Sequence, residues 1–70
     1  MPKLFSSQDI INVLEGKGFV FISQKGSHAK YFSSLSRRVV IVPANKRIIP
    51  VGTFSSILRQ SGLIREDFGL

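Results

Sequence analysis

The sequence predicts an α+β domain of the order α-β-β-β-α, a three-stranded antiparallel sheet with two helices on one face. Three observations carry this. Apolar residues recur at three- and four-residue spacing near each end of the chain, three runs rich in β-branched and aromatic residues lie between, and the connections between those runs are short. Short connections between successive strands allow antiparallel neighbours and leave no room for parallel crossovers. At 70 residues the chain makes one domain, residues 1–70, and its 43% apolar content is too high for a disordered segment.

Phe5-Ser6-Ser7-Gln8-Asp9-Ile10 has the pattern of a helix start. Ser6 can accept from the Asp9 amide while the Asp9 side chain reaches back, and Phe5 and Ile10 stand at the two positions of a hydrophobic staple. Ile10, Ile11, Val13 and Leu14 continue the apolar stripe until Gly16 and Gly18, which predicts a first helix from Ser7 to Lys17. Phe19-Val20-Phe21-Ile22-Ser23 is too short for a helix and suits a first strand, followed by a Lys25-Gly26 turn. Ser27 to Phe32 then makes the second strand. Alternation puts Ala29 and Tyr31 on the inward face and His28 with Lys30 on the outward one, although the apolar Phe32 pulls the other way.

Ser33 to Arg37 is a polar turn, and Arg38-Val39-Val40-Ile41-Val42 is a third strand stopped at Pro43. A loop to Pro50 carries Asn45, Lys46 and Arg47. The second helix opens around Val51-Gly52-Thr53, with Gly52 or Thr53 as its cap, and Phe54, Ile57, Leu58 and Ser61 repeat at helical spacing. Gly62 occupies the left-handed position that ends it, Leu63 is placed to touch Leu58, and Glu66-Asp67-Phe68 can form one further turn. The same order of elements describes double-stranded-RNA-binding domains, which read RNA by shape, phosphates and 2′-hydroxyls.

The charge is uneven. Ten Lys and Arg against four Asp and Glu give a net charge of +6, and no carboxylate occurs between Glu15 and Glu66. Nucleic acid or an acidic protein is the partner such a balance suits, although many small proteins are basic for solubility alone. The chain has no cysteine, so neither a disulfide framework nor a thiolate zinc site is available, which fits a reducing, cytoplasmic compartment. No apolar run approaches the roughly 18 residues of a membrane span, and no membrane association is expected.

His28 is the lone histidine, and histidine is the side chain suited to acid-base work near neutral pH. It follows Lys25-Gly26-Ser27, where glycine permits close approach of a ligand and Ser27 can bind phosphate. Lys30 adds a cation two residues on. Other chemistries fit poorly. Two-metal nuclease sites need converging carboxylates that this chain lacks, so no metal and no cofactor is expected. Ser27 and His28 are adjacent in an extended stretch and point apart, which disfavours a nucleophilic triad. What fits is metal-free cleavage of RNA, in which the 2′-hydroxyl is the nucleophile and one imidazole moves a proton while cations neutralise the phosphate. The basic pair Arg37 and Arg38 at a sheet end can add phosphate contacts or simply guard the strands against aggregation.

Gly26-Ser27-His28-Ala29-Lys30-Tyr31, Val39-Val40-Ile41-Val42-Pro43 and the segment Ile49-Pro50-Val51-Gly52-Thr53-Phe54 through Ile57-Leu58-Arg59-Gln60-Ser61-Gly62-Leu63 together resemble the HicA toxins of HicAB toxin-antitoxin systems. The resemblance implies a double-stranded-RNA-binding-like fold, a type II toxin acting as a ribosome-independent mRNA interferase, and neutralisation by a HicB antitoxin in a hetero-oligomer. Residue by residue, it implies His28 as the catalytic histidine, with Gly26 matching the glycine before it. Many relatives carry a second histidine two residues past the valine-proline that ends the third strand; here that residue is Asn45. The runner-up is a non-catalytic RNA-binding module of the same fold, and a third reading is one half of a protein complex whose basic face meets an acidic partner.

Overall fold

The computed structural model describes residues 4–70. Helix α1 spans Ser7–Gly16, strands β1, β2 and β3 span Val20–Lys25, His28–Ser33 and Arg38–Pro43, helix α2 spans Val51–Ser61, and a 3₁₀ turn covers Arg65–Phe68. The strands form one antiparallel sheet in the order β1-β2-β3. The expected α+β architecture is therefore the observed one, and the differences from the sequence reading are local.

α1 begins as its sequence dictates. The Asp9 N–H donates to Ser6 Oγ at 3.1 Å and the Ser6 N–H donates to Asp9 Oδ2 at 3.0 Å, a reciprocal capping box. Phe5 and Ile10 are both buried on either side of it. The helix ends at Gly16 with Lys17 as its C-cap, one residue short of the expected bound. β1 starts one residue later and ends two later than expected. Phe19 drops out of the strand because its N–H bonds the Leu14 carbonyl at 2.9 Å and its ring enters the core, 3% exposed.

The β1–β2 hairpin closes through Gly26 and Ser27, with Lys25 opposite His28. Ser27 thus lies in the turn rather than in the second strand. Gly26 has a φ of +59° while Ser27 does not have a positive φ, the arrangement of a two-residue II′ turn, which is why glycine stands there. Further along, the register shifts between Phe21 and Ser23, so that Ile22 is an extra residue in β1. β3 takes in Pro43, which pairs with His28.

α2 starts one residue before its expected caps. Pro50 is the N-cap, with no side-chain capping bond, and both Gly52 and Thr53 lie inside the helix. Proline suits this end because its fixed φ leads into a helix and the N–H it lacks is not needed there. The C-terminal end is as the sequence indicates. Gly62 is left-handed at φ +73° and its N–H closes on the Leu58 carbonyl at 3.0 Å.

Both helices cover the same side of the sheet. Ala29, Tyr31, Val40 and Val42 pack inward against Ile10, Leu14, Phe54 and Ile57, with Ile49 and Phe68 completing one cluster. The tail turn joins that cluster through its ring. Phe5 and Phe54 stack at 5.1 Å, and Phe68 meets them edge-on at 5.7 and 5.1 Å. Coverage is uneven, since α2 lies chiefly over β3 while every residue of β1 is exposed. The outer edge of β3 is occupied by α2, where Gln60 Oε1 accepts the Ile41 N–H at 2.8 Å.

Candidate functional site

Side chains alternate across β2, so the inward pair Ala29 and Tyr31 leaves His28, Lys30 and Phe32 facing away from the helices. The outward expectation for His28 and Lys30 is met, and Phe32 shares their face, only half-buried. Tyr31 belongs to the core at 5% exposure. Burial, and secondarily the Glu15 carboxylate, raise its hydroxyl above the ordinary 10.0, so it stays protonated on the opposite face from His28.

The hairpin register assembles the site. His28 lies between Lys25 on one side and Pro43 on the other, while Lys30 lies between Ser23 and Ile41. Directly opposed residues in an antiparallel pair have Cα atoms about 4.5–5.5 Å apart, so Lys25 and Lys30 flank the imidazole within one or two side-chain lengths. Ser23, Lys25, Gly26, Ser27, His28, Lys30 and Ile41 line an open depression of about 610 Å³. Gly26 presents bare backbone there: nothing lies within 4 Å of where a Cβ would stand. A phosphate can therefore approach the turn closely.

Five of the seven residues singled out in the sequence meet at this corner: Lys25, Gly26, Ser27, His28 and Lys30. Arg37 and Arg38 do not. They lie at the far end of β2, in and just after the turn to β3. Arg37 is exposed and left-handed at φ +58°. Arg38 turns to the helix side, where its guanidinium donates to the carbonyls of Arg59 and Gln60 at 3.3 and 3.5 Å, at the C-terminal end of α2. Such a cation satisfies carbonyls that end a helix unpaired. Asn45 is two residues past Pro43, hence at the His28 end of the sheet, and is left-handed at φ +59°, a conformation asparagine tolerates better than most residues.

Ser23 and Ile41 are the lining residues that sequence reasoning missed. Their signal is the register itself, since a two-residue turn after Lys25 places Ser23 opposite Lys30 without further information. Among the described residues, no three His, Asp or Glu side chains come together to hold a metal ion. The four carboxylates lie on α1 and the tail turn, away from the outward face, and Asp67 is paired with Lys17 at 3.1 Å. No described helix is long and apolar enough to cross a membrane.

An α-β-β-β-α fold with one exposed histidine at the tip of a basic hairpin can be set against known families. Residues 7–63 match the family model of the HicA toxin of bacterial toxin-antitoxin systems. The chain belongs to the HicA toxin family. A comparison with curated proteins finds no match. Membership makes this chain a toxin of a toxin-antitoxin system and implies an antitoxin partner. The matched segment begins at the first residue of α1 and ends just beyond α2, so it includes the whole His28 depression of this HicA chain and leaves out the Arg65–Phe68 turn.

Proposed function

We propose that this HicA chain is a ribosome-independent mRNA interferase of a type II toxin-antitoxin pair, a metal-independent endoribonuclease with His28 as its acid-base residue. The observation that carries the reading is the placement of an exposed histidine in a depression bordered by Lys25 and Lys30, on a sheet face without carboxylates. RNA supplies the 2′-hydroxyl that attacks its own phosphorus. The imidazole takes that hydroxyl's proton or gives one to the departing 5′-oxygen, and one group in this role contributes about 10²- to 10⁴-fold. Lys25 and Lys30 neutralise the charge that builds on the phosphate, the open backbone at Gly26 and the Ser27 hydroxyl bind its oxygens, and Arg37 holds a more distant phosphate. Arg38, held on α2, adds positive field to that end.

The cognate partner is a HicB antitoxin that covers the His28 and Lys30 face in a hetero-oligomer, and the pair acts in the cytoplasm, where mRNA is available. The purified chain is expected to cleave RNA in EDTA and to spare DNA, which lacks the nucleophile. His28→Ala is expected to abolish cleavage while the melting temperature changes little. Full activity in His28→Ala would remove the mechanism, and salt-sensitive RNA binding without cleavage by the wild-type chain would assign it instead as a non-catalytic RNA-binding module.

A further inference from the structure

The outward face carries more than the His28 depression. Val20, Phe32 and Val39 form one row across all three strands, paired Val20 to Phe32 and Phe32 to Val39. Val20 and Val39 are 55% and 45% exposed, and Phe32 lies half-buried between them. The core is built entirely from the other face, so folding gives no reason for an apolar row here. The extra residue Ile22 contributes to it, because the register shift is what brings Val20 rather than Phe21 opposite Phe32.

We propose that this row is a base-stacking subsite for single-stranded RNA, with the Phe32 ring as its platform; the proposal rests on the RNA reading of the His28 face. Position along β2 identifies the occupant. His28, Lys30 and Phe32 follow one another at intervals of about 6.7 Å, and Arg37 stands in the turn beyond. The row therefore lies between cations at both ends, on a face free of carboxylates, where a polyanion strand is favoured. An aromatic face set between phosphate-binding cations holds an unpaired base by stacking without selecting its identity. A duplex offers no such base, because its internal bases are stacked on each other. The subsite accordingly ties cleavage at His28 to an unpaired nucleotide a short distance along the same strand.

The test uses a short 2′-O-methyl oligoribonucleotide, which cannot be cleaved, carrying one 2-aminopurine whose fluorescence is quenched by stacking. The wild-type chain is expected to bind it with quenching and to lose the quenching when the probe is paired with its complement. Phe32→Leu keeps the apolar volume and is expected to weaken binding by between about fivefold and about a hundredfold and to abolish the protein-induced quench. Phe32→Tyr is expected to retain both, and thermal melts of both variants check that the fold is intact. Unchanged affinity and quench in Phe32→Leu overturn the subsite and leave the RNA reading standing. Absence of any probe binding by the wild-type chain overturns both. Normal RNA binding by Phe32→Leu with weakened capture by the antitoxin gives the row to a protein partner and also overturns the proposal.

Discussion

Ser7→Ala tests whether the start of α1 holds the end of the sheet that carries His28. Ser7 is 3% exposed. Its hydroxyl donates to the Pro43 carbonyl and accepts the Lys46 N–H at 2.9 Å, while its own N–H bonds the Lys46 carbonyl at 2.9 Å. Alanine keeps the last of these and removes the other two, leaving a part-buried amide and carbonyl without those partners. Such a loss costs about 1–3 kcal/mol. Seventy residues at about 0.05–0.15 kcal/mol each give a total stability of about 3.5–10 kcal/mol, so the substitution removes a large share. At roughly 4–8 °C per kcal/mol for a domain of this size, the melting temperature falls by about 4–24 °C. Urea unfolding measures it directly, as a lower midpoint with an unchanged slope. Because Pro43 pairs with His28 and the Ala44 N–H donates to the Ser27 carbonyl, the anchored loop backs the His28 corner. RNA cleavage per folded molecule is nevertheless expected to hold, since those two contacts do not pass through the hydroxyl. A loss of stability under about 0.5 kcal/mol, the range of ordinary surface changes, would refute the anchoring role.

Two further outcomes follow from the tail. Phe68→Ala empties a ring site between Phe5 and Phe54, at 4% exposure, and is expected to cost about 3–5 kcal/mol in calorimetry or denaturant titration. The Asp67 carboxyl is held below the ordinary 3.8 first by the Ile64 N–H, which donates to Oδ2 at 3.0 Å, and then by Lys17. A lowered value favours the folded state above 3.8 and loses that contribution as pH falls through the lower value. Acid titration followed by NMR at Phe68 is therefore expected to show the tail loosening only below 3.8, and Asp67→Asn to remove that step.

Most of the fold was legible because its signals are local. The Ser6–Asp9 box, the Gly26 hairpin and the Gly62 stop are each written within four residues and each appears where the sequence indicates. The His28 corner was legible for the same reason, since one two-residue turn assembles most of it. What was not legible depends on packing between distant segments. Nothing around Val20-Phe21-Ile22 signals an extra residue in the strand. An unbroken register from Lys25 and His28 would put Phe21 opposite Phe32, whereas the shift pairs it with Tyr31, their rings 5.7 Å apart. A one-residue slip moves the side chains beyond it to the other face, so the sequence alone assigns Phe21 to the outward row that Val20 in fact completes. The Gln60 bond to Ile41 and the Ser7 bonds to the 43–46 loop span 19 to 39 residues and have no local pattern at all.

The two arginines beside the β2–β3 turn look equivalent in sequence, and the structure separates them. Arg38 sits under Gly62 so closely that a Cβ on that glycine would lie 2.7 Å from its Nε, and it bonds two carbonyls at the end of α2. Removing it takes a partner from those carbonyls and opens the α2–β3 contact, so Arg38→Ala is expected to lower stability by about 0.5–1.5 kcal/mol, the range of an ordinary hydrogen bond, because both bonds are long and exposed. Arg37 makes no side-chain hydrogen bond among the described residues and pays a left-handed backbone for its place in the turn. Arg37→Asn keeps a residue that tolerates that backbone and removes only the charge. Stability is expected to stay within about 0.5 kcal/mol, while the slope of log affinity for RNA against log salt falls by about 0.7, one single-strand phosphate contact. A salt slope that drops for Arg38→Ala and not for Arg37→Asn would reverse the assignment and move the RNA strand from the outward face to the helix side of the sheet.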